Sequence, residues 1–127
     1  MLKTVLIALA LLPALPFALA AETVTVTLEV DVLGNDHKSC EVAVPAGSNA
    51  GAVLDAAVDQ GCLLRWTSQE YPGFGRYVDC IDLLCGAVAT YWAFYANGGY
   101  SDVGIDAYPV AEADVLRFNY EQWVVIL

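Results

Sequence analysis

Four cysteines, a single histidine and two pairs of neighbouring aspartates are the first side chains to weigh for chemistry in this 127-residue chain. His37 falls in GNDHK, a turn-rich stretch. A general base at neutral pH needs a positioned imidazole with a nucleophile in reach, and a turn histidine is ordinarily just solvated. Asp79 and Asp82 bracket Cys80, while Asp102 and Asp106 flank Gly104. Neither pair sits in the regular oxygen-ligand loop of a calcium hand, so loop solvation is the expectation. No phosphate-cradling glycine loop with lysine and no serine elbow is present. The cysteines lack the closely spaced pairs that zinc knuckles use, so no metal site is expected and disulfides are. These residues point to a binding module and not to an enzyme, with no cofactor required.

What remains is a set of aromatics. YWAFYANGGY, residues 91–100, packs four rings into five positions and then turns polar and glycine-rich. Alternation puts Tyr91, Ala93 and Tyr95 on one face of a strand and Trp92, Phe94 and Ala96 on the other. With one helix to cover one face, the remaining rings either pack beneath a loop such as 63–77 or await a ligand or partner.

Several elements must position them. Residues 1–20 carry Lys3, an apolar run from Val5 to Leu12 and Ala18-Leu19-Ala20, the pattern of a signal peptide cut after Ala20. Pro13 and Pro16 interrupt a stretch already short for a bilayer, so no membrane insertion is expected after cleavage. The rest, 21–127, suits one domain that is secreted or periplasmic. Fifteen acidic residues oppose five basic ones, a formal net charge of −10. A nucleic-acid partner is excluded, because a phosphate-binding face needs clustered Lys and Arg.

TVTVTLEVDV, residues 23–32, alternates strictly and reads as a half-buried strand, with 34–38 as the hairpin turn and about Ser39 to Val44 as its partner. SNAGAVLDAAVDQG reads as the one helix, capped by Ser48 and closed at Gly61, with Gly51 weakening it slightly. From Leu63 the chain is strands and turns: 71–75 a loop, 76–84 strand-like, 90–96 the aromatic strand, Asn97-Gly98-Gly99 a hairpin-type turn, 105–110 a short piece, and 114–120 a last alternating strand. Trp123 to Leu127 is apolar, either a further edge strand or a contact surface.

The order predicts an α+β fold, a β-grasp-like mixed sheet of four to five strands packed on one helix, stapled by two disulfides. Three pairings of four cysteines are open from sequence alone. Lengths choose among them: the second strand carries the chain away by about 17 Å and the helix returns it by about 20 Å, bringing Cys62 back beside Cys40. Cys80 and Cys85 then close a small ring.

YWAFYANG, VGIDAYPV and ADVLRFNYEQW, with VPAGSNAGAVLDAA at the passage from strand to helix, resemble the C-terminal β-domain of the transcobalamin and intrinsic-factor family, in its exported prokaryotic form of unknown function. The likeness spans about Thr23 to Trp123. In the vitamin carriers this domain lies over one face of cobalamin and a helical barrel holds the other. The resemblance therefore implies a β-grasp fold and, as candidate ligand, cobalamin or another flat corrinoid resting near Trp92, Phe94, Tyr95, Asn97, Gly98 and Tyr100. No barrel has a counterpart in these residues, so a second protein would supply the other wall. The alternative is a protein-interaction or surface-display domain with no small-molecule ligand.

Overall fold

The computed structural model describes residues 22–33 and 35–123. The expected signal peptide, Gly34 and residues 124–127 of the apolar tail lie outside the described residues. Strand β1 (Thr23–Val32) behaves as its alternation predicts. Val26, Leu28 and Val30 are fully buried, while Thr25, Thr27 and Glu29 on the other face are partly exposed. β1 pairs antiparallel with β2 (Asn35–Pro45), which is longer than expected, because Val32 already pairs with Asn35. The backbone of His37 thus belongs to a strand and not to a turn.

Helix α1 (Ala50–Asp59) buries Ala50, Val53, Leu54 and Ala57. Its N-cap is Asn49, whose Oδ1 accepts the N–H of Ala52 at 2.9 Å. Ser48, the expected cap, donates its hydroxyl to the Pro45 carbonyl instead. Both residues suit a cap chemically, and the extended backbone at Asn49 decides between them. At the far end Gly61 takes φ +83°, the left-handed conformation that lets a helix close. Gln60 then clips the helix to the sheet, its side-chain amide donating to the Ala43 carbonyl (2.8 Å) and accepting the Ala43 N–H (3.1 Å).

The chain continues as β3 (Trp66–Tyr71), β4 (Gly75–Ile81), β5 (Leu84–Cys85), β6 (Thr90–Ala96), β7 (Gly99–Tyr100), a 3-10 turn (Ile105–Ala107) and β8 (Val115–Gln122). The main sheet has the order β2-β1-β8-β6-β7, mixed because β8 runs parallel to β1 and antiparallel to β6. The fold is α+β, a five-stranded mixed sheet on one helix, as expected. The difference is a second sheet, β3-β4-β5, where sequence patterning had shown a loop and one long strand. Its short strands lack the clean alternation of β1, since only one end of it reaches the core.

Helix and second sheet lie on the same side of the main sheet. Val78 and Ile81 of β4 join Leu54, Leu116, Phe118 and Trp92 in one core. Two disulfides staple this arrangement with the expected pairing, Cys40–Cys62 and Cys80–Cys85. Cys80 and Cys85 face each other directly across β4 and β5.

Ion pairs hold the second sheet in place. Lys38 of β2 donates to Asp82 (3.0 Å) and to the Cys62 carbonyl (2.9 Å). Arg76 of β4 grips Asp106 with Nη2 (2.7 Å) and Nε (3.0 Å). Two of the four aspartates expected to be merely solvated are therefore structural anchors. Gly51 is explained as well: a Cβ there would lie 2.9 Å from Arg76 Nη2 and 3.2 Å from Asp106 Oδ1. The residue that weakens the helix makes room for the anchor laid across it.

Candidate binding site

The aromatic strand β6 divides its rings between two environments. Trp92 is 6% exposed on the helix-side face, its indole N–H donating to the Leu84 carbonyl at 3.0 Å and its ring 5.0 Å from Tyr120. The Tyr120 hydroxyl in turn donates to the Cys85 carbonyl at 2.7 Å. Trp92 is thus part of the core and of the seam with the disulfide ring. Phe94 is half-buried, stacked on Phe118 at 5.0 Å and met edge-on by Tyr108 at 5.6 Å.

On the opposite face Tyr91 and Tyr95 both donate to Glu121, at 3.3 and 2.5 Å, and Asn119 donates to the same carboxylate at 2.8 Å. The hydrogen bond to Glu121, with burial second, pushes the Tyr95 hydroxyl up to about 12. Burial first, then the Glu121 charge, also raises Tyr91. Both phenols stay protonated as donors throughout the neutral range. Tyr91 further stacks on Trp123 at 4.1 Å, and Tyr95 meets Tyr100 edge-on at 5.5 Å.

Asn97 and Gly98 form the two-residue β6–β7 turn, with φ +51° and +88°, the backbone that an Asn-Gly hairpin signal predicts. The Asn97 side chain is occupied: Oδ1 accepts the Val115 N–H at 2.8 Å and Nδ2 donates to Asp114 at 3.0 Å. This ties the turn to the start of β8. Tyr100 is 63% exposed.

Beyond Tyr100 the chain curls round a shallow hollow of about 270 Å³ bounded by Ala96, Gly99, Tyr100, Asp102, Val103 and Tyr108. Burial, aided by the neighbouring Asp114 carboxylate, raises the Tyr108 hydroxyl. Gly104, next in line, packs against the tip of the β3–β4 hairpin, where a Cβ would come within 3.4 Å of the Phe74 and Arg76 carbonyls. That tip carries three exposed rings, Tyr71, Phe74 and Tyr77, with Tyr71 5.4 Å from Phe74 and 6.4 Å from Tyr77. Tyr71 and Phe74 fall in the expected loop at 71–75 and Tyr77 in the stretch expected to be strand-like. The signal that would have found them is three aromatics within seven residues of a Pro-Gly turn, where none is needed for the turn itself.

Of the six residues expected to meet a ligand, Tyr100 is exposed, and Tyr95, which meets its ring, is half-buried, as Phe94 is. The structure commits Trp92 to the core and Asn97 and Gly98 to the turn. Among the described residues no group of three or more His, Cys, Asp or Glu side chains is placed to hold a metal ion.

The family model described as "Domain of unknown function (DUF4430)" matches residues 66–122. Haptocorrin, solved in complex with Cbi, shares the fold with a TM-score of 0.72 at 22% identity over 83% of this chain. The chain spans 26% of haptocorrin's length. A candidate metal-binding protein from Ruminococcus gnavus ATCC 29149 also superposes, with a TM-score of 0.58 and 13% identity, over 80% of this chain and 99% of that one. No curated protein sequence matches the chain. The haptocorrin match shows a shared fold.

Proposed function

We propose that this is an exported ligand-binding module that offers one wall to a small flat ligand, a corrinoid first among candidates, while a second polypeptide supplies the other wall. The observation that carries the reading is the hollow beside Tyr100 and Tyr108, with the exposed rings of Tyr71, Phe74 and Tyr77 on the adjoining hairpin. Rings held edge-on to one another present flat apolar surface at low entropic cost. Sites that enclose a drug-sized ligand are concave, about 300–1,000 Å³, and bury most of its surface. A hollow of about 270 Å³ is too small to enclose a corrinoid and suited to covering part of one.

The fold likeness to haptocorrin, solved with Cbi, supports the ligand class. The strand order with a parallel β1–β8 pair under one helix supports a β-grasp reading of the fold. Two disulfides support export to an oxidising compartment, secreted or periplasmic. No helix among the described residues is long and apolar enough to cross a membrane. Binding without catalysis is the proposed activity.

Equilibrium dialysis and difference absorbance with cyanocobalamin test the reading. Saturable binding, weakened about tenfold in Tyr100→Ala (about 1.4 kcal/mol) and again in Phe74→Ala, is expected. Absence of any spectral change up to high micromolar vitamin would leave the protein-interaction alternative in its place.

A further inference from the structure

The main sheet has a second face, and every described element that packs on the sheet lies on the other one. The helix, β4 and the 3-10 turn share their core with Val26, Leu28, Leu116 and Phe118, all on the covered side. The open face carries Glu41 on β2, Glu29 and Asp31 on β1, Arg117, Asn119 and Glu121 on β8, and Tyr91 and Tyr95 on β6. Glu29, Glu41 and Glu121 stand there with one guanidinium, while Asp31 is buried at 7% exposure.

Strands favour aromatic residues in general, and what marks this face is that its rings stand beside carboxylates. Here Tyr91, stacked on Trp123, and Tyr95 stand along the carboxylates, both hydroxyls held by Glu121. Arg117, the only cation on this face among the described residues, shows what the arrangement accommodates. Its guanidinium carbon lies 5.7 Å from the Tyr95 ring centre, and its nitrogens lie 3.7 Å from Glu29 and 3.6 Å from Asp31. Those ion-pair distances are long and the Arg117 side chain is 40% exposed. Arg117 pairs with Glu29 and Asp31 and not with Glu41 or Glu121. Ring faces attract guanidinium groups, and carboxylates at a polar rim steer cationic partners.

We propose that the open face of the main sheet is a docking surface for an extended, arginine- or lysine-bearing segment of another polypeptide. The partner's cations lie among Glu29, Glu41 and Glu121 and against the Tyr95 and Trp123 rings. The proposal does not rest on the corrinoid reading: its carboxylates lie on the face opposite the helix, and Tyr95, which meets Tyr100 edge-on, is where the two sites come near each other. Charge complementarity chooses the occupant: a second copy of this chain, at net −10, would bring like charge to like.

The test is fluorescence anisotropy of a fluorescein-labelled peptide alternating arginine and glycine, with a glutamate-glycine peptide alongside. The arginine peptide is expected to bind and to weaken as salt rises toward physiological strength, while the glutamate peptide does not bind. Glu29→Gln with Glu41→Gln is expected to weaken binding about tenfold, as is Trp123→Leu. Asp59→Asn with Glu70→Gln removes the same charge from outside the face and is expected to change it less than about twofold. An equal loss in both charge pairs would reduce the effect to net charge and overturn the proposal. So would binding of the glutamate peptide, or a dimer in light scattering that Glu29→Gln with Glu41→Gln dissolves.

Discussion

Replacing Asp82 by asparagine isolates the clip between the two sheets. Asp82 sits in the turn between β4 and β5 with φ +54°, a conformation asparagine tolerates, so the backbone need not move. Its Oδ1 accepts the Leu64 N–H at 2.7 Å and Oδ2 takes the Lys38 ammonium at 3.0 Å. An asparagine retains an acceptor for Leu64 and loses the charge that holds Lys38. The two side chains are only 16% and 26% exposed, so the pair is stronger than a surface salt bridge, worth about 0.2–1 kcal/mol, and approaches a charge-assisted hydrogen bond, worth about 1.5–3. We expect Asp82→Asn to cost about 1–2 kcal/mol at pH 7, or roughly 5–15 °C in Tm for a domain of this size.

The pH dependence adds a second check. Burial alone would raise the Asp82 carboxyl, but the Leu64 N–H and the Lys38 ammonium outweigh it and hold the group below the ordinary carboxylate range. A folded-state value below the unfolded one stabilises the protein above the unfolded value, and that stability is lost as pH falls through the folded one. Urea unfolding at pH 7 and again below about pH 3 should therefore show the gap between wild type and variant open at the first and closing at the second. A Lys38→Met, Asp82→Asn double-mutant cycle supplies the coupling energy. Equal stability at pH 7, or a gap unchanged in acid, would refute the reasoning.

Ultraviolet titration of tyrosinate should show one phenol ionising near 12, and Glu121→Gln should bring it back toward the ordinary value, because the Glu121 hydrogen bond leads the causes of its elevation. Replacing Cys40 and Cys62 together by serine should cost about 3 kcal/mol on the chain-entropy model for the 22-residue separation, read as a lower urea midpoint. An unchanged midpoint would mean that the link restrains little in the unfolded chain.

Much of the scaffold was legible because it rests on local pattern. The alternation of 23–32 and of 115–120, the Asn-Gly turn and the apolar stripe of the helix each depend on near neighbours in the chain. The disulfide pairing followed from strand and helix lengths, which geometry makes nearly independent of sequence.

Chain-distant encounters carried no such signal. The Lys38–Asp82 and Arg76–Asp106 anchors join residues 44 and 30 positions apart, and the need for Gly51 spans 25 and 55 positions. Period-two alternation told which rings share a face, but only the packed molecule decided which face the helix and second sheet would cover. That choice buried Trp92 and left Tyr91 and Tyr95 half-buried on the face away from the helix, because side-chain burial is set by what arrives from elsewhere in the chain and not by the strand that bears it.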